Sequence, residues 1–189
     1  MQYGGSMRAG VVGVVCLTAV MMSGSTGLAR SAAPATAALA HSAPSWATGA
    51  RALRAAPAKQ GVAVRVYLAP HGGTSALNAA IRAVSTPGSA SYRHFLTPAQ
   101  YRARFAPTAK TVASVESWLR GAGMRVTGVA SGNRYVKAAG TTASAEKAFR
   151  VKLAMYQRGA HVVRAPTGDA RVPKGLKPAV LGAIGETDH

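Results

Sequence analysis

Nucleophilic, acid–base and metal chemistry each need a few side-chain types brought together, and this sequence is poor in all of them. Its 5 carboxylates, Glu116, Glu146, Asp169, Glu186 and Asp188, form no paired motif. Glu116 and Glu146 fall on separate predicted helices and are expected to face water. A serine nucleophile would need a carboxylate or histidine base beside it and an oxyanion-stabilising donor, and no such set is spaced along this chain. The 5 histidines, His41, His71, His94, His161 and His189, are scattered. None has a second ligand at helical or hairpin spacing, so no metal site is expected. Cys16 is the single cysteine and lies in an apolar N-terminal run, which leaves no disulfide, thiol nucleophile or thiolate site elsewhere. The expectation is a chain with no catalytic residue, no metal and no cofactor of its own.

Charge is the stronger signal. Lys and Arg number 23 against 5 Asp and Glu, for a net charge of +18. The basic residues spread from Arg51 to Lys177 rather than forming one run. Such a surface seeks an anionic partner and binds it with pronounced salt dependence. An acidic protein, a nucleic acid or an anionic cell surface would each fit. Nucleic-acid binding calls for aromatic platforms, whereas most aromatics here fall at predicted core positions, so no nucleic acid is expected.

The elements that must carry this charge can be read in order. Residues 1–29 have the three parts of a secretory signal: Arg8, an apolar run Ala9–Met22 and a small-residue tail through Ala29. The run is shorter than the roughly 20 residues of a membrane span. Cleavage is expected near Gly27 and Ala29, or alternatively at Ser31-Ala32-Ala33, so the mature chain would be secreted without a membrane span. Residues 30–60, rich in Ala, Ser and Pro, read as a flexible leader, in which Trp46 either docks or stays exposed. Val62–Ala69 alternates as a strand, and a helix follows with Leu77, Ile81 and Val84 on one face. Thr97-Pro98-Ala99-Gln100 is a capping box with proline at the first helical position, flanked by a Leu96/Tyr101 hydrophobic staple. Val112, Val115 and Leu119 line one face of a helix over residues 109–120, which Gly121-Ala122-Gly123 ends. Two strands over 124–129 and 134–139 turn at Ser131-Gly132-Asn133. A helix over 143–149 points Ala145, Ala148 and Phe149 inward, and a hairpin over 151–164 follows. Strand, helices, two strands, helix and two strands give an α+β class: an antiparallel sheet with helices on one face, in a domain over 61–165. Regular structure is expected to thin over 166–189, an extended basic segment with Arg171, Lys174 and Lys177.

The run Ser89-Ala90-Ser91-Tyr92-Arg93-His94-Phe95-Leu96-Thr97-Pro98-Ala99-Gln100-Tyr101 resembles the signature of the activation domains of sedolisin (kumamolisin-type) serine-carboxyl peptidases. Tyr92, His94, Leu96, Thr97, Gln100 and Tyr101 fall in its register. The resemblance continues through Phe105-Ala106-Pro107, Trp118-Leu119, Gly121-x-Gly123 and Ala145-Glu146-Lys147-Ala148-Phe149, covering roughly residues 60–185. Plain core packing accounts for Tyr92, Leu96 and Tyr101. Gly73-Thr74-Ser75 matches the sequence around the family's nucleophile but sits between a strand and a helix, where Thr74 or Ser75 reads as an N-cap. In the family the nucleophile lies in a separate domain.

The resemblance implies a ferredoxin-like propeptide, an intramolecular chaperone and pH-released inhibitor of a secreted serine endopeptidase. Tyr92, His94, Leu96, Thr97, Gln100, Tyr101, Phe105, Trp118 and Phe149 would build or dock it, and Arg164, Arg171, Lys174 and Lys177 would lie along a connector toward the catalytic domain. That acidic catalytic domain, in cis or in trans, is the expected partner. A truncated frame, a fragment and a stand-alone inhibitor all fit a chain without it. The other class of reading is a basic secreted protein that binds anionic polymers or the cell envelope on the same scaffold.

Overall fold

A computed structural model of the chain describes residues 35–186. The signal sequence expected over 1–29, Cys16, Asp188 and His189 lie outside the described residues. Strand β3 (Gly61–Leu68) is the centre of the architecture, and its burial alternates strictly: Val62, Val64, Val66 and Leu68 are buried while Ala63, Arg65 and Tyr67 are only half covered. Strands β4 (Arg125–Val129), β5 (Tyr135–Thr141) and β9 (Val180–Glu186) complete an antiparallel sheet in the order β4-β5-β3-β9. β3 pairs with β5 from Gly61↔Thr141 to Tyr67↔Tyr135, and with β9 from Ala63↔Glu186 to Leu68↔Val180. Because β5 lies between β3 and β4, the chain makes the split β-α-β crossovers of a ferredoxin-like fold.

Three helices separate β3 from β4: α1 (Gly73–Ser85), α2 (Pro98–Phe105) and α3 (Ala109–Gly121). α3 starts at Thr108, whose hydroxyl accepts the Thr111 N–H at 3.2 Å, and its chain reverses where Gly123 adopts φ +88. Val112, Val115 and Leu119 sit one turn apart and pack on the valine face of the sheet, as α4 (Thr142–Phe149) does through Ala145, Ala148 and Phe149. Val66, Val115, Leu119 and Val136 are fully enclosed. Burying each such side chain stabilises the fold by about 1.5–3 kcal/mol relative to exposure. α1 departs from this pattern: Leu77 and Val84 are half covered, Ile81 is 50% exposed, and no residue of the helix is buried. Its N-cap is Gly72, with φ +76, so neither Thr74 nor Ser75 caps it.

The segments near both ends of the described residues are built in further than their composition suggests. Strand β1 (Thr36–Ala38) pairs with β8 (Arg171–Pro173), and β2 (Arg54–Ala55) joins the hairpin β6 (Leu153–Arg158) and β7 (His161–Pro166) in a second sheet, β2-β6-β7. The flexible leader expected over 30–60 is therefore bonded into the fold from Thr36 onward, with Leu39 at 2% and Ala47 at 5% exposure. Trp46 docks edge-on to Tyr156, ring centroids 5.8 Å apart, with the Arg158 guanidinium 4.9 Å from its ring. The extended segment expected over 166–189 holds β8 and β9 instead, and β9 is a sheet strand. The hairpin expected to extend a single sheet forms the second one. A composition argument counts only what a segment can bury by itself, whereas the open edges of β3, β6 and β8 supply its backbone with partners.

Candidate docking face

Two faces of the four-stranded sheet differ in kind. One carries the valines and is closed by α3 and α4. On the other, the register sets Ala63, Arg65 and Tyr67 of β3 beside Ala139, Lys137 and Tyr135 of β5, with Ile184 of β9 opposite Arg65 and Arg125 of β4 opposite Ala139. Tyr67 and Tyr135 lie 5.3 Å apart at 53°, the Arg65 guanidinium sits 5.5 Å from the Tyr135 ring, and the Lys137 ammonium sits 6.0 Å from it. Ile184 is 58% exposed. Rings, a bare isoleucine and three cations on a rigid, twisted surface can receive apolar groups and carboxylates together. Sequence reasoning passed over this row. Its signal was the off-phase of Val62-Ala63-Val64-Arg65-Val66-Tyr67-Leu68, where Arg and Tyr occupy the positions opposite the core. Nor do the aromatics keep to the core as expected, since Tyr92, Phe95 and Tyr101 are exposed and Tyr67 and Tyr135 half covered.

The signature residues divide into two groups. Thr97 and Gln100 form the expected capping box: the Gln100 N–H donates to Thr97 Oγ1 at 3.3 Å and the Thr97 N–H to Gln100 Oε1 at 2.8 Å. Phe105 is 3% exposed, and Trp118 packs edge-on against Phe149 at 5.2 Å. Tyr92, Leu96 and Tyr101, for which core packing was the expectation, are exposed by 38–39%, and His94 is exposed beside them. Among the described residues, no element packs over Tyr92, Leu96 and Tyr101 to bury them. Of the residues assigned to a connector, Arg164 Nη1 donates to the Gly61 carbonyl at 3.0 Å and Arg171 Nε to Thr36 Oγ1 at 3.0 Å, so both tie the domain together. Lys174 and Lys177 are exposed around the turn Lys174–Leu176 that leads to β9.

The few carboxylates also have internal work. Asp169 accepts the N–H groups of Ala43 at 3.0 Å, Ser42 at 2.9 Å and His41 at 3.3 Å, together with the Ser42 hydroxyl at 3.3 Å. Led by the Ala43 N–H, these donors outweigh desolvation and hold its carboxyl below the ordinary 3.8. Glu146, expected to face water, is instead largely covered and binds the start of β6, accepting the Leu153 N–H at 2.9 Å and pairing with Lys152 at 2.8 Å. Burial pushes the Glu146 carboxyl up, but those two partners together pull it below 4.5. Glu116, also expected to face water, is likewise largely covered and pairs with Arg120 at 3.1 Å along α3. Among the described residues no group of His, Cys, Asp or Glu could hold a metal ion, and no helix is long and apolar enough to cross a membrane.

Comparison with known proteins agrees with this architecture. Residues 48–188 match the family described as "Pro-kumamolisin, activation domain". Xanthomonalisin from Xanthomonas sp. (strain T-22) is 34% identical over 110 residues, which are 58% of this chain and 13% of that protein. Sedolisin from Pseudomonas sp. (strain 101) is 32% identical over 104 residues, 55% of this chain and 18% of that protein. The matched stretch thus spans less than a fifth of either relative. With the match running from before β2 to past the end of β9, this chain belongs to the Pro-kumamolisin activation domain family.

Proposed function

We propose that the chain is the propeptide of a secreted sedolisin-like serine endopeptidase, serving as its folding chaperone and as an inhibitor released by acid. The observation that carries this reading is the sheet face opposite the helices, where Tyr67, Tyr135, Arg65 and Lys137 are half covered and Ile184 is exposed. A rigid face that binds only the folded form of a partner stabilises that form by mass action, which is what a chaperone of this kind must do. When joined in one chain, a high effective concentration strengthens the effect. β9 is an edge strand, so chain beyond it would leave from the rim of this face and could be laid into a neighbouring cleft. The signal sequence read over residues 1–29 accounts for export. The chain brings no catalytic constellation of its own in this reading; the chemistry belongs to the partner.

Acid release follows from the charges. Carboxylates of the partner that pair with Arg65, Lys137 and Arg125 would have their pKa values lowered in the complex. Affinity from a depressed carboxylate is present above its free pKa and is lost as pH falls through its bound value, while Arg and Lys keep their charge. The test is inhibition by residues 30–189 of a sedolisin-type peptidase from the same organism, comparing the natural chain with Tyr67→Ala. Weaker inhibition by a stably folded variant is expected. The same cluster of cations and rings favours a second reading, binding to anionic polymers of the cell envelope. That reading predicts charge-driven binding to any polyanion and no saturable inhibition.

A further inference from the structure

The exposed side of α1 and α2 is as distinctive as the sheet face. Between the two helices and the loop joining them runs an open groove of about 930 Å³, with Leu77, Ile81, Val84, Leu96, Tyr101 and Phe105 in its lining. Phe95, next to Leu96 in sequence, is 73% exposed, and Ile81 is 50% exposed. Isolated apolar side chains at a surface are ordinary, but a continuous apolar groove marks an interaction site. The loop is held firmly: the Arg93 N–H donates to the Val84 carbonyl at 2.9 Å, and Arg93 takes φ +61 without being glycine. A residue in that conformation persists only where its surroundings fix it.

Charge identifies what fits. Arg104 lines the groove, Arg82, Arg93 and Arg102 lie on the same helices and loop, and no Asp or Glu occurs anywhere before Glu116. A second copy would set these arginine-bearing helices against their own counterparts, on chains that each carry +18. Residues 1–34 hold arginines and no carboxylate, so they do not complement the groove either. We infer that the groove between α1 and α2 receives an amphipathic acidic helix of the peptidase, apolar along the contact and bearing carboxylates at its flanks. This is a helix-in-groove contact, separate from the sheet face. It rests on the peptidase reading and gives that partner a second anchoring point.

The test compares the natural chain with the double variant Phe95→Ser, Leu96→Ser. Both side chains are exposed, so thermal unfolding should be unchanged, and a melting curve checks this. Two partners are offered at neutral pH: the sedolisin-type peptidase, and a synthetic helix with Leu on one face and Glu along its flanks. Anchors of this kind commonly cost tenfold or more in affinity when truncated. The expected result is at least a tenfold loss of peptidase inhibition in the variant, with Glu-helix binding that weakens in salt and disappears in the variant. A Lys-flanked helix should not bind. Equal inhibition by both proteins overturns the inference while leaving the peptidase reading intact. A chain that inhibits at no pH but still binds the Glu helix overturns the peptidase assignment and with it this partner. Equal binding of the Glu and Lys helices overturns the charge argument.

Discussion

Replacing Leu39 by alanine asks whether the N-terminal arm belongs to the folded domain. Leu39 is 2% exposed in the main apolar cluster, and its N–H donates to the Ala170 carbonyl at 2.8 Å. Around it, β1 pairs with β8, the Lys174 N–H donates to the Ala35 carbonyl at 2.8 Å, and Asp169 gathers the three N–H groups of residues 41–43. A buried Leu→Ala change costs about 2–5 kcal/mol through lost transfer energy and the cavity left behind. Because β1 belongs to a two-stranded sheet separate from the main one, the lower end, about 2–3 kcal/mol, is expected. At about 2–4 °C per kcal/mol for a domain of this size, the melting temperature should fall by about 4–12 °C. Urea unfolding followed by tryptophan fluorescence is the assay, because Trp46 reports on the arm and Trp118 on the α3–α4 contact. Coincident transitions at both sites, shifted together in the variant, would show one cooperative unit. A loss below about 0.5 kcal/mol, the range of ordinary surface substitutions, would refute the packing of the arm.

Asp169→Asn should loosen the arm at neutral pH. In the natural chain, the depressed Asp169 pKa means that its stabilisation is present above 3.8 and is lost as pH falls through the lower folded-state value. Limited proteolysis of the arm should therefore increase in acid for the natural chain and vary little with pH in the variant. A pH response surviving in the variant would count against Asp169 as its source. Gly140→Ala should destabilise the domain by about 1–3 kcal/mol in chemical denaturation, because the new methyl would collide with the Ser144 hydroxyl. That hydroxyl cannot readily turn away, since it accepts the Thr141 N–H at 2.8 Å and donates to the Thr141 carbonyl at 2.8 Å. An undiminished midpoint would contradict this local packing.

Local signals in the sequence carried well where one element supplies both partners. The Thr97/Gln100 box, the Val112/Val115/Leu119 face and the glycine stop after α3 are each settled within a turn or two of chain, and each formed as read. Tertiary partners were harder to see. Leu77, Ile81 and Val84 have the period of a core-facing helix, and Leu96 and Tyr101 look like core residues, yet the groove they build is open, and Tyr92 is exposed as well. Periodicity shows that a face is apolar without saying what covers it. Asp169 and Glu146 were unremarkable in sequence because their donors lie 126–128 and 6–7 residues away, brought close by β1–β8 pairing and by the turn from α4 into β6. The family resemblance reached the fold, while the row of Arg65, Tyr67, Tyr135 and Lys137 on one sheet face emerged only once strand register was known.

The most direct measurement is inhibition of a sedolisin-type peptidase from the same organism by residues 30–189, taken from pH 3 to pH 7. The account predicts potent, saturable inhibition near neutrality that fades on acidification as carboxylates across the interface take up protons. A folded protein that inhibits at no pH would contradict the propeptide assignment, and inhibition equally tight at pH 4 and pH 7 would contradict the carboxylate switch.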